Sequence, residues 1–133
     1  MADATQRMEF MAAQSAIARD EIALVSPDMP LRANLSVLDN IALIPQYRAN
    51  LTYDKAADQA WALLVVAGYQ DSFAKRDPDL SHAERCVAKL LRAAISQPPI
   101  ILIDRPAMLL PDTNYPPFLF VLLEKLAEHM NDC

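Results

Sequence analysis

One stretch, Leu80 to Pro106, restricts the possible folds more than any other: LSHAERCVAKLLRAAISQPPIILIDRP. Ser81 followed three residues later by Glu84 is a capping box: the serine hydroxyl closes the third helical N–H and the glutamate reaches back to the cap. Behind this start Val87, Leu90, Leu91, Ala94 and Ile95 recur on one helical face. Pro98 and Pro99 stop the helix, because proline has no N–H and disfavours helical backbone at the residue before it. Ile100 to Ile103 then runs without polar alternation, which predicts a strand covered on both faces of a parallel sheet. Asp104 falls where that strand ends, the side on which open α/β sheets bind ligands.

The chain holds a single glycine, Gly68. Loops that cradle phosphate use glycines so that backbone N–H groups can come close to the anion. Neither Gly-x-x-x-x-Gly-Lys-Ser/Thr nor Gly-x-Gly-x-x-Gly occurs, so this sequence builds no mononucleotide site of the usual kind. A length of 133 residues allows one domain, 1–133, and with 53% hydrophobic but only 7% aromatic residues its core should be aliphatic. The net charge of −5 is spread among interspersed acids and bases, which argues against a nucleic-acid face made of clustered Lys and Arg. No apolar run reaches membrane-spanning length and no basic-then-apolar leader opens the chain, so it reads as soluble and cytoplasmic, without direct membrane insertion.

Cys86 reads as a small buried residue rather than a nucleophile, and with Cys133 it makes no metal spacing. There is no His-Glu-x-x-His and no Ser-His-Asp order with supporting motifs. The pattern therefore assigns no catalytic residue and no metal ligand.

From the N-terminus, Met8, Met11, Ala12, Ser15, Ile17 and Ala18 give a loose amphipathic helix up to about Asp20. Ile22 to Val25 is a short strand ended by Ser26-Pro27-Asp28-Met29-Pro30, a loop with two prolines. Asn34 or Ser36 caps a helix from Val37 to about Tyr47, with Leu38, Ile41 and Ala42 inward. Thr52 caps a second from Tyr53 to Ala67, closed by Gly68, with Ala56, Ala57, Ala60, Leu63, Leu64 and Ala67 inward. Trp61 lies off that stripe beside Val65 and is expected to pack on a neighbouring helix. Asp71 to Asp79 is a charged connector. A last helix runs from about Pro117 to Met130, its first turn suited to Pro116 and Pro117. His129 reads as a solvated residue at its end, suited by charge to the helix dipole.

The order Leu80-Ser81-His82-Ala83-Glu84, Arg92-Ala93, Pro99 and Ile100-Ile101-Leu102-Ile103-Asp104-Arg105-Pro106 resembles the ATP-binding cassette (ABC) ATPases. In that family a Leu-Ser-Gly-Gly-Gln signature opens a helix, followed by Arg-Ala, a proline, and the Walker B strand ending Asp-Glu-Pro. Leu35-Ser36-Val37-Leu38-Asp39-Asn40-Ile41 is similar to a second family segment, Leu-Thr-Val-x-Glu-Asn-Val. The resemblance covers roughly Ile22 to Asp112, with 107–112 at the D-loop position. It implies an α/β, helix-dominated fold: part of the P-loop-NTPase-like ABC fold, with a short parallel sheet, a helical subdomain and signature helix at about 31–97, and a Walker-B-like strand at 100–106.

The signature-like residues are thus Leu80, Ser81, His82, Ala83 and Glu84, the Walker-B-like residues Asp104 and Arg105, and the Q-loop-like residue Pro27. By resemblance Asp104 would help hold magnesium; read from its neighbours alone, it is an acidic strand end paired with Arg105 or Arg92. Arg105 replaces the glutamate that polarises water, and a guanidinium cannot accept a proton. Proline offers no side-chain oxygen at the Q-loop position, and His82 and Ala83 add side chains where glycines allow close approach. Ser81 and Glu84 are explained equally by the capping box.

The resemblance thus implies a degenerate or truncated cassette, inactive in hydrolysis, serving as an accessory or partner-binding component of a transport system at the inner membrane face. Its expected partners are a second copy of itself, through exposed strand edges, or ABC-type ATPase and permease subunits. It would use no cofactor of its own, ATP and magnesium entering only with a complete cassette subunit that Ser81 serves in trans. The remaining alternative is a small interaction protein with no nucleotide role.

Overall fold

The computed structural model of the protein describes residues 22–98, 100–111 and 115–131. The expected N-terminal helix, Pro99, Asp112 and Cys133 lie outside them. In chain order the elements are β1 (Ile22–Val25), α1 (Val37–Arg48), α2 (Tyr53–Ala67), α3 (His82–Ala94), β2 (Ile100–Ile103), α4 (Pro106–Leu109) and α5 (Tyr115–Asn131). Short 3-10 turns at Gln70–Ser72 and Asp77–Asp79 shape the connector between α2 and α3.

α1, α2 and α3 each begin where a side chain closes one of the first N–H groups. The Asp39 N–H donates to Ser36 Oγ at 3.2 Å, and the Lys55 N–H to Thr52 Oγ1 at 3.4 Å. Ser36, not Asn34, is therefore the cap of α1. Gly68 ends α2 with φ 79°, a left-handed backbone that a side chain would strain although nothing lies within 4 Å of the missing Cβ. α1 continues through Pro45 to Arg48, one residue beyond the expected end. Pro45 is buried, and its carbonyl accepts from the Ala49 and Leu51 N–H groups at 3.0 and 3.3 Å, holding the end of the helix against the following turn.

The core lies among α1, α2 and α3. Ile41, Leu64, Leu90 and Leu91 are fully enclosed, and Ala56, Ala60 and Ala88 let the helix backbones come close. Leu119, Leu122 and Leu126 bury one face of α5, whereas Phe120, Val121 and Leu123 face outward. Buried Asn40 ties α1 to the loop before it. Its Nδ2 donates to the Arg32, Leu35 and Ser36 carbonyls, and its Oδ1 accepts from the Arg32 N–H at 2.8 Å.

β1 and β2 pair in parallel, Ile22 opposite Ile100 and Val25 opposite Ile103, as a two-stranded sheet among the described residues. The Asp104 N–H donates to the Val25 carbonyl at 2.8 Å and carries the ladder one residue further. The expectation that β2 is covered on both faces is corrected here. Ile100 is 45% exposed and Ile101 to Ile103 are only half-buried, because the described residues provide no second continuous layer over the strand. Trp61 is 43% exposed on α2. Its ring meets that of Phe73 in the connector, edge-on at 5.5 Å between centroids.

Candidate functional site

The C-terminal ends of the two strands bring together residues that are far apart in sequence. Asp104 Oδ2 accepts from Ser26 Oγ at 3.0 Å and from Arg105 Nε at 3.0 Å. The same guanidinium donates through Nη2 to Asp28 Oδ2, so it bridges the carboxylates that follow the two strands. Arg105 reaches both because its own backbone is left-handed, φ 48°, at the turn from β2 into α4. Of the two partners open to Asp104 from the sequence, Arg105 is the one it meets. Arg92 instead donates to the Met29 and Pro30 carbonyls, both at 2.9 Å.

Beneath this cluster Lys89 is almost completely buried and donates to the Ser26 carbonyl at 3.2 Å. Burial, helped by Arg92 and Arg85, lowers its pKa, the direction expected of an ammonium removed from water. Three cations therefore hold the 26–30 loop: Lys89 at the Ser26 carbonyl, Arg92 at Met29 and Pro30, Arg105 at Asp28. Pro27 sits half-buried inside this held loop. Cys86 is buried, and desolvation, opposed by Lys89, lifts its thiol to about 11, so it stays protonated at neutral pH.

The second cluster lies at the start of α3. The capping box is formed in full: the Glu84 N–H donates to Ser81 Oγ at 3.1 Å, and the Ser81 N–H donates to Glu84 Oε1 at 2.9 Å. Glu84 Oε2 also accepts from Lys75 Nζ at 2.8 Å and from Ser72 Oγ. Burial alone would raise this carboxyl, but the donors of Lys75, Ser72 and Ser81 prevail and hold it at about 2. Leu80 is buried beneath the cap, while Ser81 and His82 are exposed and Ala83 half-buried.

The structure does not bring the two clusters together. α3 has 13 residues and runs about 20 Å at 1.5 Å per residue. The signature-like residues sit at its start, whereas Arg92 near its end and Lys89 within it reach the strand-end cluster. Ser26, Asp28 and Lys89 were not singled out by the sequence. Among the described residues no group of three or more His, Cys, Asp or Glu side chains is placed to hold a metal ion.

A parallel strand pair with an acidic strand end, its strands joined through three helices, defines an α/β arrangement. The chain is, further, a homologue of ABC transporter ATP-binding proteins, with the fold of ABC ATPase domains. It is 32% identical over 115 residues, 84% of its length, to the ABC transporter ATP-binding protein MJ0796 of Methanocaldococcus jannaschii. It is 31% identical over 96 residues, 72% of its length, to the lipoprotein-releasing system ATP-binding protein LolD of Wigglesworthia glossinidia brevipalpis. The chain spans 48% and 41% of these relatives, less than half of either.

Among solved structures it matches cbiO1 of Clostridium perfringens, part of the ABC transporter complex cbiONQ. The TM-score is 0.66 at 17% identity, over 98% of this chain and 47% of that one. It also matches the dimeric post-hydrolysis state of the MJ0796 cassette bound to ADP and Pi. There the TM-score is 0.64 at 28% identity, over 96% of this chain and 53% of that one. No protein-family model matches the sequence. Among the described residues no helix is long and apolar enough to cross a membrane.

Proposed function

We propose that this chain is an ABC ATPase-like component that does not hydrolyse ATP and serves a transport assembly as a partner-binding piece. On this reading 31–97 are the helical subdomain with its signature-like helix, and 100–106 the Walker-B-like strand. The observation that carries it is Arg105, a permanent cation at the position of the water-polarising glutamate, ion-paired to Asp104 and Asp28. The residues present do not fit a magnesium ion held by this chain alone. A metal at Asp104 Oδ2 would have to displace the guanidinium and the Ser26 hydroxyl, and the sequence carries no glycine-rich loop to bring phosphate beside it.

The test is isothermal titration of the chain with ATP and with ADP, with and without magnesium. No heat up to millimolar nucleotide is expected. Tight, magnesium-dependent binding would overturn the reading. Its partner side is tested by co-purification with a permease at the inner membrane face, and by the mass of the free chain, which reports self-association.

A second reading is favoured by the exposed start of α3, where Ser81 and His82 are open to solvent. There the signature-like end would complete the ATP site of a full cassette subunit in trans. ATP binding that appears only when a complete cassette subunit is added would select it.

A further inference from the structure

Arg105 is placed as a bridging divalent metal would be between two carboxylates. It follows β2 directly, its left-handed backbone turns the side chain back over the strand ends, and its fork addresses Asp104 through Nε and Asp28 through Nη2. Asp104 continues β2, whereas Asp28 belongs to the loop after β1, so the guanidinium ties two segments 77 positions apart in sequence. The far side of that loop is held by Arg92 at the Met29 and Pro30 carbonyls, and its base by Lys89 at the Ser26 carbonyl. Within the loop, the Asp28 N–H donates to Ser26 Oγ at 3.1 Å and the Met29 N–H to the Ser26 carbonyl at 3.2 Å.

We infer that Arg105 is a built-in counter-cation, a latch that keeps the 26–30 loop closed on the end of β2 with no ligand bound. This deepens the inactive-cassette reading, on which it rests for the meaning of the site. A loop that would otherwise answer to a bound cation is fixed in one state, and the 26–30 surface offered to a partner is constant. The planar fork matters: it engages two carboxylates at once, which a lysine ammonium, a single point charge, does less well.

The test needs no nucleotide, so its outcome is separate from that of the ATP titration. Hydrogen exchange is followed at the Asp28 and Met29 amides in the wild type, Arg105→Gln, Asp28→Asn and the double variant. Both single variants should exchange roughly threefold to fivefold faster, the range of a partly exposed ion pair. The double variant should be no faster than Arg105→Gln, which already removes the Asp28 contact together with that to Asp104. Unchanged exchange in Asp28→Asn, or additive effects in the double variant, would overturn the latch. Asp28→Asn alters an exposed side chain and keeps the fold, so the test stands even if Arg105→Gln unfolds. Arg105→Glu adds a cation test by placing a third carboxylate beside Asp28 and Asp104. Calcium, which tolerates irregular oxygen geometry, should restore slow exchange in Arg105→Glu and leave Arg105→Gln unaffected. If calcium protects neither or both equally, Arg105 is not acting in the place of a cation.

Discussion

The helical part and the sheet of this molecule are built to different standards. Between α1, α2 and α3 the side chains of Ile41, Leu64, Leu90 and Leu91 are wholly enclosed. The sheet is as apolar in sequence, yet Ile100 is 45% exposed and its neighbours half-buried. Apolar composition predicts burial only where a second layer exists to supply it. The helices bring their own layer; among the described residues, the strands do not.

The sharpest way to break this contrast is to truncate one side chain from each region and compare unfolding in urea. Leu64→Ala should cost about 3–4 kcal/mol, a core cavity, and Ile101→Ala about 1–2 kcal/mol, because Ile101 is only partly buried. Equal costs would mean that in solution something covers the strands, a second copy being the first candidate to weigh.

Asn40→Ala probes the polar side of the helical region. It strands the Arg32 N–H and leaves three carbonyls without their shared donor, so a loss of about 2–3 kcal/mol is expected. A loss below about 1 kcal/mol would show that water replaces the amide and that the enclosure is looser than described.

The smallest expected effect is electrostatic. Glu84 sits at about 2 in the folded chain against an ordinary 4.5, so the unfolded chain takes up the proton first. Its contribution is complete above about pH 4.5 and is lost as pH falls toward about 2. Glu84→Gln should flatten that part of the stability profile while the sheet stays unaffected. An unchanged acid slope would mean that Lys75 and Ser72 do not hold the carboxylate in solution.

What the sequence disclosed was local chemistry. Ser81 with Glu84, Thr52 and Gly68 each announce a helix end within three or four residues, and each lies where the spacing puts it. The apolar run 100–103 announces a strand, though not how much of it is covered. What stayed hidden depends on tertiary closure. Arg92 meets carbonyls 62 and 63 positions away, Ser26 meets Asp104 78 positions away, and no periodicity carries such pairings. The Trp61–Phe73 ring contact is of the same kind, since Phe73 comes into reach only where the 3-10 turn folds the connector back. Pro45 inside α1 overrides the local rule against proline because its buried position and its accepting carbonyl tie the end of the helix to the turn beyond.

The parallel pairing of Val25 with Ile103 has a consequence for the order of assembly. The two strands are the ends of one long excursion of the chain. Closing so long a loop for a few backbone bonds is entropically poor until α1, α2 and α3 have shortened it. Strand pairing is thus the closing stitch of the fold. In pulse-labelled refolding, the amides of α2 and α3 should become protected before those of 101–104.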